Sequence, residues 1–363
     1  MLAYTLPFLA FGLAFAITSL LLPQIINIAN RYHLQDQPNE RKVHKNNIPT
    51  FGGIAIFFGF LLATLVSAFA DMSAQFQYLI GAILTMVIVG MRDDFLELSA
   101  RWKFIGQVAA AFILVHFAEI HIVSLNGLFG LHELSPFVSY PLSMFVIVGI
   151  TNAFNLIDGI NGLAGTVSWV IFAVLGSWFT MAGYGLSAIL CFSMVGAITG
   201  FLRFNYSPAR IFMGDTGSLL LGFVISALIM VFARENLANA EVSGFPNIAS
   251  PVSAGVILIL YPAFDTFRVF IIRIREGRSP FSPDQNHIHH MLLHMGLSHM
   301  AITRTIVSAQ VILVGTFLSL SCLGINENIL VASMFLALLA AVGVLHYLHA
   351  RHLRKAQYQS VRS

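Results

Sequence analysis

The sequence FNYSPARIFMGDTGS, residues 204–218, separates two long apolar runs, and the rest of the chain is arranged around it. Asp215 lies between Gly214 and Gly217, which let the backbone come close to a ligand. We expect Ser218 to open the next helix, where free amide N–H groups attract anions. A carboxylate beside such a helix start suggests a magnesium ligand, although a turn of this kind could also simply cap a membrane helix.

The composition predicts an all-α polytopic membrane protein. Hydrophobic residues make up 57% and charged residues 10% of the chain, and the mean hydropathy is +0.82. A soluble domain carries about 25% charged residues. The two cysteines, Cys191 and Cys322, fall in or beside apolar runs and predict no disulfide. The formal charge is only +3, without a basic tract or RNA-binding motif, so we expect no nucleic-acid partner.

Eleven apolar runs predict membrane-spanning helices, since a span needs about 20 mainly apolar residues. They are residues 2–28, 51–70, 78–91, 104–117, 136–153, 163–182, 185–202, 217–233, 252–272, 302–323 and 329–348. The first is long for a signal peptide, so we expect it to be retained. We expect a single membrane domain over residues 1–350 and a basic cytoplasmic tail over 351–363.

Positive charge predicts the orientation. If the loops alternate sides, eighteen of the nineteen Lys and Arg residues fall on one side and Arg234 alone on the other. The positive-inside rule then places the amino terminus outside and the carboxy terminus in the cytoplasm. Among the outer loops, the alternation around Ile120, Ile122 and Ser124 predicts a small hairpin within residues 119–135. The inner loops hold nearly all the polar chemistry.

The first two inner loops offer charges suited to phosphate. Residues 36–53 contain Pro49 and two glycines, which predict an ordered turn, and Lys45 lies near it; its basic residues could also be plain membrane anchors. In residues 92–103, the adjacent carboxylates Asp93 and Asp94 stay ionised together only near a cation. Followed by Lys103, they could hold a magnesium-bound diphosphate, although such a pair can also be an ordinary helix end.

The third inner loop, residues 152–165, contains no Lys or Arg, so membrane anchoring does not explain its polarity. Asn155, Asp158 and Asn161 recur every three residues among glycines that permit close approach of a ligand. In the fourth loop, which is the opening stretch, Phe212 can stack on a base and Asn205 can hydrogen-bond one.

The fifth inner loop begins at Asp265, after Pro262, which can break the ninth span. Its histidines could bind zinc, because His290 and His294 have the spacing that zinc sites favour. No cysteine or HExxH pattern completes such a site, so we favour histidines that hydrogen-bond sugar hydroxyls and phosphate oxygens. The histidines concerned include His287, His289 and His290.

Four motifs in this order resemble the polyprenyl-phosphate N-acetylhexosamine-1-phosphate transferases. They are Asp93-Asp94, the NLIDG sequence of residues 155–159, the FMGDTGS sequence of 212–218 and the HIHH sequence of 287–290. The resemblance covers nearly the whole chain and is to the WecA/TagO-like branch of glycosyltransferase family 4, with MraY a more distant relative. The SPFSPD sequence of 279–284 looks more like the UDP-GlcNAc-using branch than the MurNAc-pentapeptide branch.

The resemblance implies a bacterial inner-membrane enzyme with its active site in cytoplasmic loops. It would transfer a sugar 1-phosphate from a UDP-sugar to polyprenyl phosphate, releasing UMP and using Mg²⁺, with Mn²⁺ as an expected substitute. A homodimer is an expectation from the family. GlcNAc is the favoured sugar, while GalNAc or UDP-MurNAc-pentapeptide remains an alternative.

The resemblance also assigns residues. Asp215 would bind the metal, Asp93 and Asp94 would place or deprotonate the lipid phosphate, and Lys103 would offset charge. Asn161 replaces a second Asp found in several members and would contact the nucleotide as a neutral amide. The remaining substrate-binding residues would be Lys45, Asn155, Asp158, Asn205 and Phe212 on the nucleotide side, with Arg278, His287, His289 and His290 on the sugar diphosphate.

Two other classes of protein fit less well. A transporter or lipid carrier would place ionisable groups deep in its spans, but the second, sixth, seventh, tenth and eleventh spans contain none over most of their length. A purely structural scaffold would not need five polar inner loops. Direct attack by the lipid phosphate is favoured over a phospho-enzyme, because magnesium and Lys103 could offset the charge in one step.

Overall fold

A computed structural model describes residues 2–33, 48–69, 73–206, 208–238, 248, 250–279 and 284–360. This part of the chain is all-helical and contains no β-strand. Its helices are α1 (Leu2–Arg31), α2 (Gly52–Ser67), α3 (Ala74–Leu96), α4 (Ala100–Phe112), α5 (Pro136–Leu156), α6 (Leu163–Met181), α7 (Gly185–Asn205), α8 (Gly214–Ala238), α9 (Pro251–Leu258), α10 (Leu260–Arg275), α11 (Ile288–His294), α12 (His299–Cys322) and α13 (Glu327–Ser360).

Each predicted span coincides with helix, and the protein is confirmed as a polytopic helical membrane protein. Eight described helices are long and apolar enough to cross a membrane, and the pair α9–α10 brings the number to nine if it is one broken span. The remaining two predicted spans fall on α2, which has 16 residues, and on α4, which has 13 and continues as a π-helical turn, Ile113–Phe117. The 78–91 prediction was too short, because α3 runs on through Asp93 and Asp94.

The ninth predicted span is broken, as its sequence indicated. α9 and α10 meet at 65° around Ile259, and Pro262 lies in the first turn of α10, where a missing N–H is tolerated. The break frees backbone groups inside the apolar region. Gln310 of α12, which is buried, donates from Nε2 to the carbonyl of Leu258 at 3.1 Å and satisfies one of them.

Helix α8 is the packing centre of the fold. It is almost entirely buried and packs on α2, α3, α5, α6 and α9. Glycines allow its first turn to meet two neighbours at backbone distance: a Cβ on Gly53 of α2 would lie 2.1 Å from the Gly217 nitrogen, and one on Gly90 of α3 would lie 2.6 Å from the Thr216 Cα. No side chain fits between these helices, so the start of α8 is fixed by its surroundings.

The two ends of the bundle differ in chemistry. At one end the predicted hairpin is present as a single antiparallel bridge between Ser124 and Glu133. Arg234, at the end of α8, donates to the Glu119 carbonyl there at 3.1 Å, so these two predicted outer segments lie together. The predicted tail from residue 351 is, as far as Ser360, the helical end of α13. The polar loops gather at the opposite end.

Candidate active site

Four side chains from four helices meet at the start of α8. Lys103 of α4 contacts Asp215 directly through Nζ and Oδ2, and its Nζ lies 2.9 Å from Oδ2 of Asp93 on α3. Asn155, in the last turn of α5, donates from Nδ2 to Asp215 Oδ1 at 2.6 Å and to Ser218 Oγ at 2.9 Å. We call Asp93, Lys103, Asn155 and Asp215 the lysine cluster. One ammonium therefore lies between two carboxylates that would otherwise repel and offsets part of their charge.

Burial and charge act in opposite directions on Lys103. Burial alone would lower the pKa of its ammonium, but the carboxylates of Asp215 and Asp93 outweigh it and raise the pKa above the ordinary value. Lys103 therefore carries its positive charge at neutral pH. A fixed cation with only 17% of its side chain exposed is well suited to an anionic substrate.

Asp94 has a different task from its neighbour Asp93. Its Oδ1 accepts from the Asp215 amide at 2.7 Å, while its Oδ2 accepts from the Thr216 amide at 3.0 Å and the Thr216 hydroxyl at 2.5 Å. The carboxylate thus caps α8 from α3. The expectation of free amides opening this helix is wrong for these two N–H groups, and the helix begins at Gly214 rather than near Ser218.

The backbone before α8 explains this geometry. Gly214 has φ +74°, and a Cβ there would lie 2.0 Å from the Thr50 carbonyl. The Phe212 amide donates to Pro49 O at 2.8 Å, and the Phe212 carbonyl accepts from Gly52 at 2.9 Å. The predicted ordered turn around Pro49 is therefore confirmed, and it holds the segment that carries Phe212. Lys45 lies outside the described residues.

The turn between α5 and α6 brings Asp158 towards the lysine cluster. Burial, together with the negative charges of Asp215 and Asp94, raises the pKa of Asp158 well above its ordinary value. Its carboxyl group can therefore hold a proton and donate a hydrogen bond. Among the described residues, no side chain or backbone group makes a hydrogen bond to this carboxyl group, so it remains available to a ligand.

Asn161 and Asn205, predicted to contact the nucleotide, are buried in the protein framework. The Asn205 amide accepts from Gly162 N at 2.6 Å and donates to the Ile211 carbonyl at 2.9 Å, so both of its ends bind backbone. The backbone of Asn161 is held by α12, where Thr303 donates to its carbonyl at 2.9 Å. In this arrangement both residues join loops, and their contact with a nucleotide stays a prediction.

The histidine-containing loop is attached to α10 by buried charges. Arg273 pairs with Asp284 through Nε and Oδ2 at 2.9 Å, with 2% and 6% of their side chains exposed. Asp265 lies 2.9 Å from Nδ1 of His287. Arg278, by contrast, is exposed and pairs with Glu276. The motifs indicated no role for Asp265 or Arg273, although Asp265 is the only carboxylate in the predicted span 252–272.

His289 connects this loop to the Asp158 turn. It is fully buried, and a Cβ on Gly159 would lie 2.9 Å from its Nε2. Neither ring nitrogen has a hydrogen-bond partner among the described residues. Burial, with a contribution from the neighbouring His290, lowers the pKa of His289 to about 3, and burial also lowers that of His290. Both rings are therefore neutral at physiological pH.

The donor chemistry of the lysine cluster fits a hard divalent cation. Asp93, Asp215 and Asn155 present only oxygen acceptors and amide groups, and carboxylate oxygen is the ligand type that Mg²⁺ prefers. Lys103 bridges Asp93 and Asp215, so positive charge already lies between these two carboxylates. Within the described part of the chain, no group of three or more His, Cys, Asp or Glu residues is arranged to hold a metal.

Comparison with known proteins identifies the family of the chain. The family profile "Glycosyl transferase family 4" matches residues 76–233, which include Asp93, Lys103, Asn155 and Asp215. A probable undecaprenyl-phosphate N-acetylglucosaminyl 1-phosphate transferase of Bacillus subtilis (strain 168) is 33% identical over 328 residues, covering 90% of this chain and 87% of the relative.

Relatives from Escherichia coli and Salmonella carry a similar name. The undecaprenyl-phosphate alpha-N-acetylglucosaminyl 1-phosphate transferase of Escherichia coli K12 is 32% identical over 78% of this chain and 76% of its own. The enzyme of the same name from Salmonella typhi is 33% identical over 83% of this chain and 80% of its own. The chain belongs to glycosyl transferase family 4, and the resemblance drawn from its motifs is confirmed.

Proposed function

We propose that this enzyme transfers N-acetylglucosamine 1-phosphate from UDP-GlcNAc to undecaprenyl phosphate, releasing UMP. The observation that carries the proposal is the contact of Lys103 with both Asp93 and Asp215 at the start of α8. The names of its relatives, which span most of the chain, support the same donor sugar and acceptor lipid. The product would be the first lipid-linked intermediate of a cell-surface polysaccharide.

The reaction exchanges one phosphorus–oxygen bond for another. An oxygen of the lipid phosphate bonds to the phosphorus that carries the sugar. The bond from that phosphorus to the oxygen shared with the uridine phosphate breaks, and UMP leaves as an anion with the bonding electrons. Both reactants are anionic, so catalysis requires positioning and charge neutralisation more than a covalent intermediate. We favour direct attack over a phospho-enzyme for this reason.

The residues of the lysine cluster would divide this work. Lys103 would donate to a phosphate oxygen from its place beside Asp215 and offset the charge there, while Asp93 would orient the lipid phosphate. Asp158, able to donate a proton in a hydrogen bond, would bind the nucleotide together with Phe212. Asp94 would keep Asp215 in place through α8.

Magnesium would be held by Asp215, with Asp93 as the second candidate ligand. When bound, it would supply positive charge to the transferring phosphate oxygens. Mn²⁺ is the expected substitute, because it accepts the same oxygen ligands. Chelation by EDTA should abolish turnover, and Mg²⁺ or Mn²⁺ should restore it.

The membrane arrangement belongs to the same proposal. We infer eleven spans in a bacterial inner membrane, with the lysine cluster at the cytoplasmic face, supported by the distribution of Lys and Arg and by the position of Arg234 at the other end of the bundle. Exposed Cys322 is first replaced by Cys322→Ser, because its thiol would itself react with a maleimide. In spheroplasts carrying this protein, the thiol introduced by Glu133→Cys should react with a membrane-impermeant maleimide, and the thiol introduced by Arg278→Cys should react only after lysis. Labelling at 278 in intact spheroplasts would reverse the orientation.

The reaction is tested with purified protein, Mg²⁺, undecaprenyl phosphate and UDP-GlcNAc, measuring UMP and lipid-linked sugar together. We expect equal amounts of both products, and a loss of at least about 10²-fold in Asp215→Asn. Glu133→Gln, an exposed carboxylate at the opposite end of the bundle, is the matched control and should retain activity. UMP release with UDP-GalNAc or UDP-MurNAc-pentapeptide but not with UDP-GlcNAc would show that the donor sugar is a different one. No UMP release with any UDP-sugar would refute the transfer.

A further inference from the structure

Asp265 is a completely buried carboxylate in α10, and both of its oxygens have hydrogen-bond partners. Oδ1 accepts from Arg268 Nη2 at 2.8 Å and from the Ile288 amide at 3.1 Å. Oδ2 lies 2.9 Å from Nδ1 of His287. A buried carboxylate with this set of partners is ionised, and the hydrogen between it and His287 therefore belongs to Nδ1.

The position of the His287 proton determines what its other nitrogen can do. Arg268 already balances the charge of Asp265, so the Asp265–His287 contact requires only the one proton on Nδ1. Nε2 then presents a lone pair and accepts hydrogen bonds. No hydrogen bond to Nε2 is formed by the described residues. A phosphate oxygen has no hydrogen to offer such a nitrogen, whereas a sugar hydroxyl or an amide N–H has one.

The contacts around His287 also fix the orientation of its ring. Ile288 is the first residue of α11, so Asp265 holds the start of that helix as well as the ring. On the other side, the His287 ring stacks on His289 at 5.5 Å between centroids and 10° between planes. His289 in turn lies against Gly159, beside Asp158. The imidazole is therefore held from two sides, by Asp265 and by the His289 ring.

We propose that Asp265 is the positioning residue of sugar recognition: it holds His287 so that Nε2 accepts a hydrogen bond from a hydroxyl or the acetamido N–H of the donor sugar. This inference rests on the proposed function. In this arrangement His287 binds the neutral sugar, and Lys103 and the metal bind the diphosphate. Asp265 itself touches no substrate and acts only through His287.

The test is a double-mutant cycle with Asp265→Asn, His287→Ala and the combined variant, using two ligands. We expect each single variant to weaken UDP-GlcNAc binding about tenfold, the size of one well-placed buried hydrogen bond. Binding of UMP, which lacks the sugar, should change less than about twofold. The combined variant should bind UDP-GlcNAc no more weakly than His287→Ala alone, because residues that act through one another are not additive.

Glu133→Gln, an exposed carboxylate at the opposite end of the bundle, is the control. It should leave UDP-GlcNAc binding unchanged within about twofold, both in the wild-type protein and combined with His287→Ala. Multiplicative effects of Asp265→Asn and His287→Ala, or an equal loss of UMP binding, would overturn the proposal. If Asp265→Asn does not fold, Asp265→Glu takes its place in the same cycle with the same criteria. An inactive wild-type protein would count against the proposed function, whereas an active one with multiplicative effects counts against Asp265 alone.

Discussion

The ammonium of Lys103 on α4 contacts the carboxylate of Asp215 on α8, although the two residues are 112 positions apart in the chain. The same ammonium reaches Asp93 on α3 at 2.9 Å. Three helices therefore depend on one side chain for charge balance at the site. Removing that side chain should affect both catalysis and the packing of the carboxylates.

Lys103→Met keeps the length of the side chain and removes its charge. We expect the turnover number to fall by about 10²–10³-fold, since a fixed positive charge aimed at a developing anion contributes on that scale. The measurement is the initial rate of UMP release at saturating substrates. Arg101→Met, an exposed cation on the same helix, should stay within about twofold. Equal rates for Lys103→Met and wild type would contradict the role given to the lysine cluster.

Two glycines of α3 offer a matched pair for packing. A Cβ on Gly90 would lie 2.6 Å from the Thr216 Cα, whereas one on Gly81 would meet nothing within 4 Å. Gly90→Ala should lower the free energy of unfolding by about 1–3 kcal/mol and reduce activity, because α3 must move away from the first turn of α8. Gly81→Ala should be neutral or stabilising by up to about 1 kcal/mol. Thermal unfolding in detergent measures both, and similar melting temperatures would contradict the close contact.

Asp94 is expected to act on stability in the absence of any substrate. Asp94→Ala removes three hydrogen bonds at the start of α8 and should lower the free energy of unfolding by about 1–2 kcal/mol, as loss of a helix cap does. Glu276→Ala, an exposed carboxylate, serves as the control and should change stability by less than about 0.5 kcal/mol. An Asp94→Ala protein that is inactive but fully stable would show that Asp94 acts on the substrate instead of on the helix.

His289 should make the protein sensitive to acid. Its pKa is about 3 in the folded protein, against 6.5 for an ordinary histidine, so the unfolded chain binds a proton first. Its contribution to stability is complete above pH 6.5 and is lost as the pH falls towards 3. Between pH 6.5 and 5 this loss amounts to about 1–2 kcal/mol.

The comparison is with His289→Gln, which has no charge to gain. Its stability should fall less than that of wild type over this pH interval, as measured by thermal unfolding at pH 6.5 and 5. His132→Gln, which changes an exposed histidine in the hairpin between Ser124 and Glu133, should lose as much stability as wild type. Parallel pH dependences for His289→Gln and wild type would mean that His289 is not buried in its neutral form.

Much of the fold could be predicted because hydropathy is a property of continuous segments. Each apolar run is a helix, and the loops assigned to one side by their charge do meet: Asp93, Lys103, Asn155 and Asp215 come from four such segments. The motifs also identified the right family. The length of α3 was underestimated because a polar helix end carries no apolar signal.

The partners of individual polar groups could not be predicted in the same way, because they depend on contacts between distant segments. Nothing in the sequence distinguishes Asp93, which pairs with Lys103, from Asp94, which caps a helix more than a hundred residues away. Asn205 resembles a base-binding amide in sequence, yet both ends of its side chain bind backbone. The buried pair of Arg273 and Asp284 likewise joins α10 to the loop that follows it, and no hydrophobic pattern in the sequence predicts that contact.

The glycine contacts of Gly53 with Gly217, and of Gly90 with Thr216, also determine which parts of the site can move. Backbones that touch directly leave no space for sliding, so the first turn of α8 and Asp215 form a rigid base. Substrate binding should therefore leave the first turn of α8 in place, and the phosphates must fit themselves to an Asp215 that does not move.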